Sequence, residues 1–149
     1  MAVRNSLFRS VSHLALISIS AGMLCACAAA PTNDEAGLER SEWLAVEVSG
    51  KTADDRTNST LRFPDEGTVE GNSACNQFNA TVKIDGNTIS LGPITATERR
   101  CGLPDDDLEK AYLAALGEAK TWEIDINTLR LMDAGGKMLI RFKRLGTTF

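Results

Sequence analysis

The chain has 149 residues, of which 43% are hydrophobic and 24% are charged, the composition of an ordinary globular protein of about one domain. Its 20 acidic residues outnumber its 16 basic residues, which argues against nucleic-acid binding because affinity for phosphates comes mostly from Lys and Arg. The single histidine, His13, lies in an N-terminal leader. A mature chain that has lost this leader would contain no histidine. Catalysis by Ser-His-Asp or Cys-His groups and zinc binding by histidine are then excluded.

Residues 1–26 are predicted to form a signal peptide. Arg4 and Arg9 precede an apolar stretch from Val11 to Leu24, which is too short to span a bilayer core of about 30 Å. Removing 26 of the 149 residues leaves 123, with 14 basic and 20 acidic residues and therefore a net charge of −6.

The end of this leader, Leu24-Cys25-Ala26-Cys27, resembles the bacterial lipobox, in which Leu at −3 and a small residue at −1 precede an acylated cysteine. We therefore predict lipidation at Cys27, since Cys25 would leave Leu24 at −1. The resemblance implies a protein anchored in the cell envelope by its lipid. Ala28, rather than Asp, favours the outer membrane, with the domain facing the periplasm. The alternative is an ordinary signal peptidase site at residues 26–30, with Cys27 an incidental thiol.

Residues 27–40 lack apolar periodicity and contain Pro, Gly, Asn and Asp, so we predict a flexible tether followed by one domain over residues 41–149. Strands are predicted at Trp43–Val48 and Thr60–Phe63, separated by a polar loop. From Asn76 the chain alternates, which is typical of a half-buried antiparallel strand with Phe78, Ala80, Val82 and Ile84 facing the core.

A turn at residues 85–87 and a returning strand at Thr88–Leu91 complete a predicted hairpin. Near the C-terminus a second alternating region predicts a three-stranded meander, with turns at Asn127 and at residues 133–136. Its inward positions are predicted to be Trp122, Ile124, Ile126, Leu129, Leu131, Met138, Ile140 and Phe142.

One helix is predicted between these strands, because Leu108, Ala111, Tyr112, Ala115 and Leu116 form an apolar stripe at helical spacing. The acidic run at residues 105–107 is expected to cap its N-terminus and favour the helix dipole, and the glycine at 117 to end it. A calcium loop is the alternative for this run, but the ligand spacing is wrong. The predicted fold is α+β and mainly β: a curved antiparallel sheet or partial barrel of about seven or eight strands with one packed helix.

Two cysteines remain in the domain, Cys75 and Cys101. An even pair in an oxidising compartment predicts a disulfide, and closing a loop of this length stabilises a fold by about 3 kcal/mol. Two unbridged thiols and a redox-active pair are the alternatives, and Arg99 and Arg100 could lower the pKa of a thiol beside them.

The segments around these cysteines resemble the META/HslJ domain family. The residues that carry the resemblance are Gly71, Cys75, Asn76 and Phe78 in one segment and Thr97 and Cys101 in the other. Supporting positions follow in the same order, namely Trp43, Phe63, Glu109, Tyr112, Leu113, Leu129 and Leu131. The chain departs from the family at Ala74, where Gly is usual and permits positive φ, and at Arg99, where Met is usual. A charge at residue 99 implies a rim or surface position.

The resemblance implies a stress-associated envelope lipoprotein, linked in this family to novobiocin resistance, with no established catalytic activity and no cofactor or metal. Its implied partners are the membrane, through the lipid anchor, and another envelope component, and the domain is expected to be a monomer. The alternative is a carrier or secretion-pilot-like lipoprotein that holds an acyl chain or apolar peptide between sheet and helix. Asn76 is expected to satisfy backbone groups in its turn. The alternative role for this side chain is a ligand contact.

Two further groups of charged residues are candidates. The pairs Asp54-Asp55 and Asp65-Glu66 lie in polar loops, where solvated charges are expected rather than acid–base catalysis. Arg141, Lys143 and Arg144 are expected to line the solvent face of the last strand or to protect a sheet edge. A functional role for these three would be contact with lipid head groups or an acidic partner.

Overall fold

The computed structural model describes residues 37–53 and 55–147. They form ten strands, one α-helix (α1, Asp105–Glu118) and a short 3-10 helix at Asp55–Thr57. The strands are β1 (Ser41–Val48), β2 (Lys51–Thr52), β3 (Thr60–Arg62), β4 (Thr68–Asn72), β5 (Gln77–Asp85), β6 (Thr88–Leu91), β7 (Thr95–Ala96), β8 (Thr121–Asp125), β9 (Thr128–Met132) and β10 (Met138–Thr147). The predicted signal peptide, Cys27 and Asp54 lie outside the described residues.

Eight of these strands close into an antiparallel barrel in the order β1, β3, β4, β5, β6, β8, β9, β10, and β10 pairs back onto β1. Closure joins the two ends of the domain, with Ser41 opposite Thr147 and Val48 opposite Ile140. The short strands β2 and β7 pair with β1 and β5 outside this circuit. The predicted mainly-β fold with one packed helix is therefore confirmed.

The barrel interior is filled by apolar side chains from alternating strand positions. On β5, Phe78, Ala80 and Val82 are buried while the residues between them are exposed, as the alternation predicts. Trp43, Trp122, Tyr112 and Phe142 are the largest of the fully buried side chains. Strands β2 and β7 are too short to show the alternation. The barrel strand β4 contains too much glycine and too many polar residues to show it.

Helix α1 packs against β1, β6 and β10 and buries Tyr112, Ala115 and Leu116, three members of the predicted stripe. Two expectations about its ends were wrong. The residue before the helix is Pro104, and no side chain caps the first turn, because the three aspartates already lie within the helix. There they still favour the dipole. At the other end Gly117 lies inside the helix, which continues to Glu118, and Ala119 caps it through its backbone.

The C-terminal meander forms as predicted, with two inward positions wrong. Ile126, expected to face the core, is the first residue of the two-residue turn between β8 and β9, has φ of 53° and is 84% exposed. The prediction placed only Asn127 in this turn, because Ile126 continues the alternation of β8. At the start of β10, where the pairing with β9 is irregular, Leu139 lies in the core and Met138 is only partly buried.

Barrel closure excludes one of the two roles expected for Arg141, Lys143 and Arg144. Because β10 is paired on both sides, these residues do not protect a sheet edge.

The packed structure includes residues just before Ser41. Leu38 is fully buried in the core, and its carbonyl accepts a hydrogen bond from the Ser41 hydroxyl. Ser41 Oγ in turn accepts a hydrogen bond of 2.6 Å from Trp43 Nε1. The last residues of the segment predicted as a tether are thus part of the fold. Within residues 37–53 and 55–147, no helix is both long and apolar enough to cross a membrane.

Candidate functional site

The turn between β4 and β5, residues 73–76, brings the two cysteine-containing segments together. Cys75 and Cys101 form a disulfide with a Cα–Cα distance of 5.8 Å, and Cys75 is buried. The disulfide constrains the chain at this turn and leaves no free thiol there. We refer to residues 73–76 as the Cys-Asn turn.

Asn76 is buried at the centre of this turn and uses all of its side-chain hydrogen-bonding capacity. Its Oδ1 accepts bonds from Thr97 Oγ1 at 2.7 Å and Arg99 N at 2.8 Å. Its Nδ2 donates to Arg99 O at 2.9 Å and to Glu109 Oε2 at 3.0 Å. An amide with two donors and two acceptor sites has nothing left to offer a ligand. Asn76 thus satisfies backbone groups as expected, but those of Arg99 in the other cysteine-containing segment and not those of its own turn.

Glu109 joins the helix to the Cys-Asn turn. Besides accepting the bond from Asn76, its carboxylate lies 2.8 Å from Ser73 Oγ, and Ser73 is fully buried. The same hydroxyl lies 2.8 Å from Asn76 O, so its single proton can serve only one of the two acceptors at a time. The sequence pattern did not predict this role for Glu109, because it lies 33 residues from Asn76 and outside the apolar stripe of α1.

Gly71 is required by the close approach of β4 to β3. A Cβ atom on this residue would overlap the Thr60 carbonyl and touch the Phe78 ring. The same carbonyl accepts a bond of 2.9 Å from the Tyr112 hydroxyl, and the Tyr112 ring makes edge contacts with Phe78 and Phe142. Burial raises the pKa of the Tyr112 phenol well above its ordinary value, since ionisation would place a charge in the core.

The two departures from the family pattern have different consequences. Ala74 adopts φ of 80°, the conformation that the usual glycine would favour, so the turn geometry is retained with backbone strain. Arg99 is exposed, as expected for a charge at this position, and its Nη2 donates to Cys75 O at 2.7 Å. Arg99 therefore stabilises the turn by bonding to its backbone from the solvent side.

A polar groove lies beside the Cys-Asn turn, on the outer face of β3, β4, β5 and β7, with a volume of about 620 Å³. Carboxamides and hydroxyls dominate its lining. The side chains concerned are those of Asn58, Asn72, Gln77, Asn79, Thr95 and Thr97. Sequence alternation had placed Gln77 and Asn79 on the solvent face, but only the folded sheet brings the residues of β3, β4 and β7 beside them.

The electrostatics of the polar groove favour an uncharged ligand. Arg62 and Glu70 face each other in an ion pair within it, and Glu42 adds one acidic group at its border. The Asn72 Oδ1 atom is buried and has no hydrogen-bond partner among the described residues, an arrangement that costs about 1–3 kcal/mol.

Within residues 37–53 and 55–147, the remaining acidic candidates are exposed or already bonded to other groups. Asp65 and Glu66 are exposed in the loop before β4. Asp106 and Glu109 lie within 4.8 Å of the Cys75 sulfur, but that sulfur is part of the disulfide and Glu109 is engaged by Asn76. Instead, Asp106 Oδ1 accepts a bond of 3.1 Å from Cys101 N.

The basic residues of β10 have separate structural partners. The Arg141 guanidinium forms an ion pair of 2.7 Å with Glu47 on β1. The Arg144 guanidinium lies 4.2 Å from the centre of the Trp43 ring, a cation–π contact. Lys143 is exposed, as expected for the solvent face of the strand.

Comparison with known proteins places these features in a family. The model of the META domain matches residues 36–145. One NMR structure is similar over 72% of this chain and 92% of its own length, with 22% identity and a TM-score of 0.60. An NMR structure from Burkholderia xenovorans covers 73% of this chain and 84% of its own, with 20% identity and a TM-score of 0.60.

A crystal structure of a DUF4847 family protein from Bacteroides vulgatus is also similar. It matches over 71% of this chain and 93% of its own, with 18% identity and a TM-score of 0.54. At these identities the likeness concerns the fold alone. Comparison with curated proteins gives no match.

Proposed function

The chain belongs to the META-domain family, and on that basis we propose that it is a lipid-anchored, non-catalytic envelope protein that binds an uncharged envelope component in its polar groove. The biological setting we propose is tolerance of envelope stress or of antibiotics such as novobiocin. The anchor is Cys27, and the expected location is the outer membrane facing the periplasm.

The observation that carries this proposal is the contrast between the Cys-Asn turn and the groove beside it. In the turn, Cys75 and Asn76 are buried and fully bonded, so they support a structural role. In the groove, the carboxamides of Gln77 and Asn79 are exposed. Groups with free hydrogen-bonding capacity are the ones that can recognise a ligand.

The packed interior favours this binding module over a carrier of acyl chains or apolar peptides. A carrier needs an apolar space between sheet and helix, and here Tyr112 of α1 fills that position between Phe78 and Phe142. Trp43 and Trp122 belong to the same packed core, with at most 1% of their surface exposed.

Capture of envelope components by the anchored protein tests the groove. We expect a component cross-linked by the wild-type protein to be recovered at least fivefold less with the double variant Gln77→Ala, Asn79→Ala. The matched control is Lys83→Gln, an exposed change on the same strand but outside the groove, which should recover as much as wild type. Equal recovery by all three proteins would contradict binding in the groove.

Two further measurements address the anchor and the setting. Palmitate labelling should be lost in Cys27→Ser and retained in Cys25→Ser, whereas retention in both would contradict lipidation at Cys27.

A strain lacking the gene should become more sensitive to novobiocin, and wild-type protein should restore tolerance while Gln77→Ala, Asn79→Ala should not.

A further inference from the structure

Two large apolar side chains are exposed at the same end of the barrel. Ile126 is 84% exposed, and Leu145 is 49% exposed. Pairing of β9 with β10 places Thr128 opposite Lys143, and Arg144 N then donates to Asn127 O at 2.9 Å. Ile126 precedes Asn127 and Leu145 follows Arg144, so both residues lie at this end. We call this pair the apolar tip.

The backbone at the apolar tip is unfavourable for the residue it carries. Ile126 has φ of 53°, a region that a β-branched residue rarely adopts. In a two-residue hairpin turn with positive φ at its first position, glycine is the preferred residue. An isoleucine here therefore costs stability through backbone strain, and its side chain, 84% exposed, gains little from burial on folding.

The segment that leads to the predicted anchor enters the domain at this same end. Gly37 O accepts a bond of 3.3 Å from Arg144 Nη2, on the residue next to Leu145. A Cβ atom on Gly37 would lie 3.3 Å from Ile124 Cδ1, two residues before Ile126. Residues 27–36 separate Cys27 from this point, and ten residues span at most about 35 Å when fully extended.

We infer that the apolar tip rests on the surface of the membrane that holds the anchor, with Ile126 and Leu145 in the interfacial layer of the lipid. The inference rests on the proposed lipidation of Cys27. Two apolar side chains would bind a bilayer only weakly on their own. A short tether holds the domain at high effective concentration near the surface, so that a weak contact becomes populated.

The charges beside the apolar tip make this contact independent of anionic lipid. Asp125 and Lys143 flank it, both exposed and of opposite sign. Arg144, the residue before Leu145, directs its guanidinium to Gly37 O and the Trp43 ring. A membrane contact that depended on phosphate head groups would need a cluster of basic residues. We therefore expect insertion into vesicles of phosphatidylcholine alone, and little change when anionic lipid is added.

The test uses the full mature protein, lipidated at Cys27, in phosphatidylcholine vesicles. The disulfide and the acylated cysteine leave one free thiol in each single-cysteine variant. An environment-sensitive dye is attached in Ile126→Cys or, as control, in Ala134→Cys, an exposed position in the turn at the far end of β9 and β10. We expect lipid-bound nitroxide to quench the dye at residue 126 at least twofold more than at residue 134.

A second pair of variants tests whether the Ile126 side chain itself enters the lipid. A dye placed in Leu145→Cys should be quenched, and adding Ile126→Asn should lower that quenching towards the value at residue 134. Asparagine tolerates positive φ, so the turn is kept while its apolar side chain is lost.

The possible outcomes separate this inference from the anchor. If the protein sediments with vesicles and quenching at residues 126 and 134 is equal, the membrane contact of the apolar tip is contradicted while the anchor stands. If the mature protein does not sediment with vesicles, the anchor is contradicted and the inference falls with it.

Discussion

Five of the described residues other than glycine have positive φ, and two of them, Ala74 and Ile126, lie in turns with very different surroundings. Ala74, with φ of 80°, belongs to the Cys-Asn turn, where a disulfide and the four hydrogen bonds of Asn76 fix the backbone. Ile126, with φ of 53°, belongs to an exposed hairpin turn. The disulfide and hydrogen bonds around Ala74 maintain its strained backbone, whereas the strained backbone of Ile126 lies in an exposed turn.

The difference teaches how strain relates to role in this molecule. A residue of unfavourable conformation persists when its surroundings over-determine it or when its side chain is needed. The surroundings explain Ala74. At Ile126 they do not, which leaves the side chain as the reason and supports contact with the membrane.

The largest expected effect concerns the covalent constraint on the Cys-Asn turn. Replacing both Cys75 and Cys101 with Ala should lower the free energy of unfolding by about 3 kcal/mol, because the unfolded chain gains the entropy that the cross-link removes. Chemical denaturation measures this. Wild-type protein unfolded in the presence of a strong reductant should show the same loss, and an unchanged denaturation midpoint would contradict a stabilising disulfide.

The second prediction separates the buried network from the groove beside it. Asn76→Ala should lower the free energy of unfolding by about 2–3 kcal/mol, because Glu109 Oε2 and the N–H and carbonyl of Arg99 each lose a partner in a part-buried site. Asn79→Ala, an exposed change of the same type on the same strand, should alter it by less than about 0.5 kcal/mol. Equal effects would mean that Asn76 is not the centre of the turn.

The third prediction concerns pH and the buried phenol next to the network. Because burial raises the pKa of Tyr112, its neutral form is favoured in the folded state. Stability is therefore retained below the ordinary tyrosine pKa of about 10 and lost as pH rises above it, by up to about tenfold in the unfolding constant per pH unit.

Tyr112→Phe removes this ionisation, so its stability should fall less steeply above pH 10 even though it loses the bond to Thr60 O. Denaturation of both proteins between pH 8 and pH 11 provides the comparison. Parallel curves would show that the phenol does not titrate differently in the two states.

The smallest effects test the two strained turns directly. Ala74→Gly and Ile126→Gly should each raise the free energy of unfolding by about 1 kcal/mol, since glycine adopts positive φ without a steric cost. Only Ile126→Gly should also reduce vesicle contact, measured as dye quenching in the Leu145→Cys background. If Ala74→Gly reduced that contact equally, the distinction between the two turns would fail.

The periodicity of apolar residues correctly predicted side-chain burial where one face of a strand or helix packs against the core. The alternation of β5 correctly assigned Phe78, Ala80 and Val82 to the interior, and the helical stripe correctly assigned Tyr112 and Leu116. These predictions hold because burial of apolar surface is decided by the period of side chains along one element. The same reasoning failed at Ile126, where a turn interrupts the period without a glycine or proline to mark it.

By itself, then, the sequence determined the mainly-β class, most strands, the helix and the pairing candidates among its cysteines. Tertiary structure alone decided that Ser41 would lie opposite Thr147 to close the barrel, and that Glu109 would bond to Asn76. It also decided which polar side chains would share a groove. Periodicity reports the direction of each side chain from its own element, whereas these contacts depend on how distant elements pair, which no local pattern encodes.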